Sequence, residues 1–240
     1  MKIINESPFH ASMLIEKSEN LKVADGTIHL LLCSMALEAF IQDLRSFYTL
    51  VNSSRITTSS SGGLFQKKTT TTSKRGGLSI DGESPVKWIC DEELRLMILL
   101  DGIEKESPSR KYEILLNYLK VSDWNKGQDE VFKDIVRMNK LRNLIVHLKS
   151  DAHSLNDSGH IEELPKVIKE LKSKGVNFCD NSVRGSWIHC LDDDSFITWC
   201  RSVIIKAIES VLDVLPDSDI NKLFKDNYLS NVDTFQHLKN

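Results

Sequence analysis

The sequence predicts an all-α fold: one helical bundle over residues 1–240, interrupted by a long Ser/Thr-rich surface loop. Three observations lead there. Apolar residues recur at three- and four-residue spacing through most of the chain, the mark of helices that bury one face. The 5 Pro and 11 Gly fall mostly between those segments, where they punctuate rather than break helices. No fixed-period repeat divides the chain, and 240 residues suffice for one sizeable core.

In chain order, Pro8 to Val23 reads as a short amphipathic helix with Met13, Leu14 and Leu21 on its apolar side. Thr27 to Val51 is the strongest helix. It is apolar around most of its circumference, with a narrow polar stripe at Ser34, Glu38, Gln42 and Arg45, and such a helix belongs in the centre of a bundle. From Asn52 to Glu83 the character changes: the run SSRITTSSSGGLFQKKTTTTSKRGG offers few side chains to a core. Residues 52–83 therefore read as a mobile insertion loop, with a β-hairpin as the alternative, because Thr-rich runs flank Gly62-Gly63. Helical spacing resumes behind Pro85, from Val86 to Gly102. Ser107-Pro108 opens the next helix, and after the turn Ser122 to Gly127 a long helix spans Asp129 to Lys149. Ile161 to Ser173 follows, closed by Gly175. The acidic triplet Asp192-Asp193-Asp194 starts the last long helix, whose apolar face runs from Phe196 to Leu215 before Pro216 ends it. Residues 217–240 read as a C-terminal tail.

Composition bounds the function. A hydrophobic content of 40% and a charged content of 27% are those of an ordinary globular domain. The formal net charge of -3 gives no global attraction to nucleic acid or membrane, so any anion site must be local. Met1 to Asn20 has no apolar signal-peptide core, and the most apolar stretch, Ile28 to Leu37, is far shorter than the roughly 20 residues of a membrane span. Cys33, Cys90, Cys179, Cys190 and Cys200 are odd in number and form no CxxC pair, a pattern of reduced thiols in a cytoplasmic protein rather than of a disulfide framework or zinc site. His153 and His160 lie near Asp151 and Asp157 without rigid ligand spacing. No Gly-rich phosphate loop, Ser/His/Asp set or paired catalytic carboxylates stand out, and no cofactor is expected.

One segment carries chemistry: Leu141-Arg142-Asn143-Leu144-Ile145-Val146-His147. An Arg followed four to six residues later by a His is weak as a pattern, since 9 Arg and 7 His give roughly one such pair by chance. Arg184 and His189 match the same spacing in loop-like chain and serve as the chance copy. Arg142 differs in context. At about 100° per residue it falls inside the apolar stripe Val131, Ile135, Met138, Ile145 and Leu148. A cation on a packing face is costly unless it is paired or opens onto a wet cleft or interface. Asn143 and His147, four residues apart, neighbour one another on the flank of that stripe. A guanidinium that forks onto phosphate oxygens, an orienting amide and an imidazole that exchanges protons form a metal-independent phosphodiester set. The bland alternative stays open: a buried ion pair of Arg142 with Glu38, and a histidine satisfied at a helix C-terminus.

The segment resembles the Arg, four-to-six, His motif of the HEPN superfamily, matched here by Arg142-Asn143-Leu144-Ile145-Val146-His147 with a polar residue directly after the Arg. The surrounding runs HLLLCSMALEAFIQDL, VFKDIVRMNKL and FITWCRSVIIKAIESVL agree with that resemblance, which covers His29 to Leu215. It implies a HEPN-like helical bundle and an endoribonuclease of toxin–antitoxin or other defence systems. It also implies a site built where two motifs face each other across a homodimer, and an antitoxin or defence-system protein as a further partner. Arg142 would then bind the scissile phosphate, His147 would transfer protons as the RNA 2′-hydroxyl attacks, and Asn143 would position one of them. Lys140, Lys149 and Glu38 would line the substrate side. Other members of the superfamily are silent modules that bind protein or nucleotide, and an RNA binder that does not cut is a third reading.

Overall fold

The computed structural model describes residues 10–21, 25–53, 55–60, 69–78, 87–120, 124–147, 164–179 and 186–230. Helices dominate. In order they are α1 (His10–Asn20), α2 (Gly26–Ser53), α3 (Asp91–Gly102), α4 (Pro108–Leu119), α5 (Glu130–Val146), α6 (Lys166–Ser173), α7 (Asp194–Leu212) and α8 (Asp219–Ser230). Between α2 and α3 run β1 (Arg55–Ser60), β2 (Thr69–Leu78) and β3 (Lys87–Trp88), which form an antiparallel sheet in the order β1-β2-β3.

The 28-residue α2 is the axis of the fold. Leu30, Leu37, Phe40, Leu44, Tyr48 and Val51 are fully buried along it, and α1, α3, α5 and α7 all pack against it. By length and composition it is the one helix among the described residues that could cross a membrane, yet its apolar side chains are spent inside the bundle. Asp43 of α2 straps down the start of α1, accepting from the Ala11 amide at 3.0 Å and lying 3.0 Å from His10 Nδ1. The end of α1 is held by Arg201 of α7, whose Nη2 donates to the Ser18 carbonyl at 2.6 Å.

Several boundaries follow from local chemistry. Asp193 caps α7 by accepting from the Ser195 amide at 2.9 Å, so the acidic triplet does start that helix. Gly175 adopts φ 89° behind α6, the left-handed turn that glycine permits at a helix end. The start of α3 lies later than Pro85 implies. Glu93 reaches back to the Cys90 amide at 2.7 Å, and Lys87-Trp88 before it pair with Leu78 and Gly77 as β3.

Two expectations are corrected. The fold is mostly helical, as expected, but within 52–83 the described residues 55–60 and 69–78 pair as strands rather than running as a plain loop. Arg55–Ser60 and Thr69–Leu78 form a hairpin, with Thr57, Thr58 and Ser59 opposite Thr72, Thr71 and Thr70. β-branched threonine favours the extended backbone even where it offers little to a core. The supposed tail 217–240 also contains a core helix. Ile220, Phe224 and Tyr228 of α8 are fully buried, and the rings of Phe224 and Tyr228 lie 5.0 Å from Phe47 and 5.3 Å from Phe40. Polar groups fix α8 in place: Ser218 Oγ donates to Glu93, Tyr48 Oη donates to Asn221, and the Asn221 amide donates to Ser218 Oγ at 3.0 Å.

Gly26 opens α2 where a side chain has no room. Its amide donates to Asp192 at 3.0 Å, and a Cβ there would stand 1.8 Å from the Leu191 carbonyl oxygen. Gly26→Ala should therefore push the 3-10 turn Trp187–Leu191 away and destabilise the protein by about 1–3 kcal/mol or more, the usual cost of overpacking. Urea unfolding of the two proteins measures it.

Candidate functional site

The motif helix α5 starts from a well-built cap. Asp129 accepts from the Phe132 amide at 3.0 Å and from Trp124 Nε1 at 2.7 Å. Burial pushes its carboxyl up, but those two donors, with the charge of Lys120 and the Val131 amide, outweigh burial and hold it below the ordinary value. Phe132, Ile135, Met138 and Leu141 then face the core. The opening turns of α5 carry an ion-pair network. Arg137 lies 2.7 Å from Asp134, Lys133 lies 2.7 Å from Glu130, and Lys174 reaches both carboxylates at 2.8 and 3.0 Å. Lys133 and Lys174 hold the Glu130 carboxyl down to about 2. Lys133 and Arg137 are thus neutralised locally.

The motif itself lies at the open end of α5. Leu141 is the last fully buried side chain, and Asn143, Leu144, Val146 and His147 are exposed. Arg142 is one-third exposed; its Nη1 donates to Asn143 Oδ1 at 3.3 Å, and its Nη2 stands 3.9 Å from Glu38 Oε1 on α2. The Glu38 partnership expected from the sequence is present, but it is a long pair in solvent, with the Glu38 side chain 41% exposed. Among the described residues, Asn143 is the hydrogen-bond partner of the guanidinium and Glu38 its ion-pair partner. His147 caps the helix, its amide donating to the Asn143 carbonyl at 3.0 Å. Among the described residues no hydrogen bond or ion pair joins the His147 side chain to Arg142. Five residues separate them, about 140° around a helix, so the two side chains leave α5 in different directions.

Lys140 is exposed two residues before Arg142. Lys149 and Leu148 lie outside the described residues, as do His153, His160, Asp151, Asp157 and Arg184. His189 of the chance copy sits in the 3-10 turn, 4.0 Å from Asp192. Among the described residues no group of three His, Cys, Asp or Glu could hold a metal ion. Cys33, Cys190 and Cys200 are buried, and burial pushes the thiols of Cys33 and Cys190 up to about 11, which suits small hydrophobes better than nucleophiles.

Sequence reasoning missed the apolar flanks of the site. Met35 precedes Glu38 by one turn of α2, and Val146 follows Arg142 by one turn of α5; each is 52% exposed. The polar stripe assigned to α2 began at Ser34, but Ser34 is buried and Met35 takes the open face. One residue along a helix turns a side chain by about 100°, enough to exchange the two. The Glu38–Arg142 pair thus has an exposed apolar neighbour on either helix.

Because that pair is long and hydrated, Glu38→Ala and Arg142→Ala should each leave stability within about 0.5 kcal/mol of wild type. Urea titrations of both variants check this, and a loss of several kcal/mol would mark a buried pair instead. No family model matches the chain, and no curated protein or solved structure matches it either.

Proposed function

We propose that the chain is a metal-independent endoribonuclease of HEPN type, cytoplasmic, acting as a homodimer in defence or toxin–antitoxin growth control. The observation that carries the reading is the position of Arg142, Asn143 and His147 together on the solvent-facing end of α5, free of structural duty in the core. In the proposed reaction the 2′-oxygen of RNA attacks the adjacent phosphorus while an imidazole of His147 takes its proton. The 5′-oxygen of the next nucleotide leaves and is protonated, so the products end in a 2′,3′-cyclic phosphate and a 5′-hydroxyl. Arg142 stabilises the charge on the phosphoryl oxygens, Asn143 and Glu38 hold its guanidinium in place, and Lys140 and Lys149 attract the flanking backbone.

The divergence of Arg142 and His147 on α5 supports the dimer. A single helix end offers its cation and its imidazole to different directions, whereas two helix ends related by a two-fold axis set Arg142 of one copy beside His147 of the other. The exposed Met35 and Val146 supply apolar surface around the charged pair for such an association. The same apolar flanks favour the second reading, a HEPN-like module that dimerises or binds a partner protein without cutting.

A mixed RNA pool separates the two. Wild type should cut in the presence of EDTA and leave cyclic phosphate ends. His147→Ala should lose about 10²–10⁴ in rate, Arg142→Ala about 10²–10³, and Arg184→Ala nothing, with all melts unchanged. Folded wild type that leaves the pool intact sinks the enzyme. Light scattering over a concentration series should report a dimer, and a strict monomer at tens of micromolar removes the two-copy site.

A further inference from the structure

We infer that Cys179 and Cys190 are a reversible thiol–disulfide pair, a modification site whose co-reactant is a low-molecular-weight disulfide such as oxidised glutathione, and whose closure clamps the turn in front of α7. The inference is independent of the ribonuclease reading.

Residues 177–179, behind α6, run alongside the start of α7 and are fastened to it. The Asn177 amide donates to Ser195 Oγ at 3.1 Å, the Phe178 ring lies 5.4 Å from that of Phe196, and the Cys179 amide donates to the Cys190 carbonyl at 3.0 Å. Hydrogen-bonded residues of neighbouring chains have Cα atoms about 5.5 Å apart, near the centre of the roughly 4.4–6.8 Å that a disulfide spans. Cys190 follows Cys179 by eleven residues in sequence, and the fold has brought the two together. Both are thiols here. The Cys179 sulfur lies over the same stretch of chain: Sγ donates to the Asp192 carbonyl at 2.7 Å and stands 4.0 Å from the Asp193 carboxylate. Closing the bridge gives up that weak S–H donor and keeps the backbone bond between the two residues.

The two thiols take different parts. Cys179 is half-buried and Cys190 is buried, so a small disulfide reaches Cys179 first. Burial holds the Cys190 thiol up at about 11, with Lys172 drawing it down and Cys179 pushing it up, and both of those influences need a group close to the Cys190 sulfur. Lys172, whose Nζ stands 5.8 Å from the Phe178 ring, thus sets beside the pair a cation that favours the attacking thiolate. Cys90, the other half-buried cysteine, is the contrast: burial and the neighbouring Glu93 and Glu92 hold its thiol up. In the first step the Cys179 thiolate attacks one sulfur of oxidised glutathione, giving a mixed disulfide and one glutathione thiolate. In the second the Cys190 thiolate attacks Cys179 Sγ, which forms the Cys179–Cys190 bond and releases the other glutathione thiolate. The protein gives up two electrons and two protons, and one small disulfide becomes two small thiols. The second step is intramolecular, so the small thiolate fraction of a buried cysteine suffices. Closure then fixes the turn Trp187–Leu191 to the exit of α6. The start of α2 rests on that turn, with Gly26 against Leu191 and its amide on Asp192.

The test exposes the reduced full chain to oxidised glutathione without denaturant, alkylates the remaining thiols and maps the products by mass spectrometry. Wild type should lose two hydrogens and yield one cross-linked peptide holding Cys179 and Cys190, and dithiothreitol should reverse the change. Cys190→Ala should stop at a glutathione adduct on Cys179, because the resolving thiol is gone. Cys179→Ser should gain neither a cross-link nor an adduct on Cys190. In wild type Cys90 should react at least about tenfold more slowly than Cys179. The oxidised protein should unfold at a higher urea concentration than the reduced one, since the bridge restricts the unfolded chain. Glutathione adducts without a cross-link in wild type, or a bridge between any other two cysteines, overturn the pair. A Cys179–Cys190 bridge that leaves the urea midpoint unchanged overturns the clamp. If Cys190→Ala does not fold, the wild-type peptide map decides alone.

Discussion

Every other element of this fold answers to the burial of α2. A 28-residue helix with fully buried Leu, Phe and Tyr side chains along its length must be surrounded, because large apolar surface left in water is costly at roughly 25 cal/mol per Å². Helices α1, α3, α5 and α7 provide that surround, and α8 adds the aromatic contacts of Phe224 and Tyr228 to Phe47 and Phe40. One face stays open: Gln42, Ser46, Thr49 and Ser53 occupy its C-terminal half, while Ile28 and Met35 occupy its N-terminal half. The Glu38–Arg142 pair stands at the boundary.

That position explains how a guanidinium comes to lie in line with a packing stripe. Burial on a helix depends on height along the axis as much as on angle around it. Arg142 shares the direction of Ile135 and Met138, yet it lies one residue beyond Leu141, the last fully buried side chain of α5. A guanidinium one-third exposed meets a smaller desolvation penalty than a buried cation would. Glu38 and Asn143 then act less as stabilising partners than as tethers that limit the rotamers of a long side chain, and in the proposed ribonuclease that would lower the entropy lost when a phosphate binds.

Angle is what a sequence displays, and height is what it hides. The helices read most accurately were those with chemical signals at their ends: Ser107-Pro108 before α4, the acidic triplet before α7, Gly175 after α6. The partner of Arg142 was also readable, because Glu38 interrupts an apolar helix and an uncompensated charge needs a counter-ion. The exposure of the pair was not, since it depends on where neighbouring helices stop. The start of α3 hid behind Pro85, a residue that suits a first helical turn but here precedes a strand. The hairpin hid because threonine-rich chain suits both a strand and a solvated loop, and only the pairing with β3 and the packing of β2 on α2 decide between them. α8 was within reach: Ser218-Asp219 followed by Ile220, Leu223, Phe224 and Tyr228 is a capped run at helical spacing. Pro216 drew attention to an ending rather than to the start behind it.

The same distinction bears on catalysis. Proximity along the chain made Arg142 and His147 look like one constellation, but five residues of helix turn their side chains apart. A phosphodiester reaction needs the guanidinium and the imidazole on one phosphate, about 3 Å from the reacting oxygens. One copy of α5 does not meet that requirement with a straight helix; the two facing ends of the proposed dimer would, with residues that are already exposed. The apolar side chains beside the pair would then have a purpose that a solvated surface would not give them. They would exclude water from the seam between two helix ends, and in that drier setting the charge of Arg142 would act on a phosphate at far more than its strength in open solvent. In the proposed dimer, association and chemistry would thus draw on one surface, and substitutions at Met35 or Val146 would belong to the same functional unit as those at Arg142 and His147.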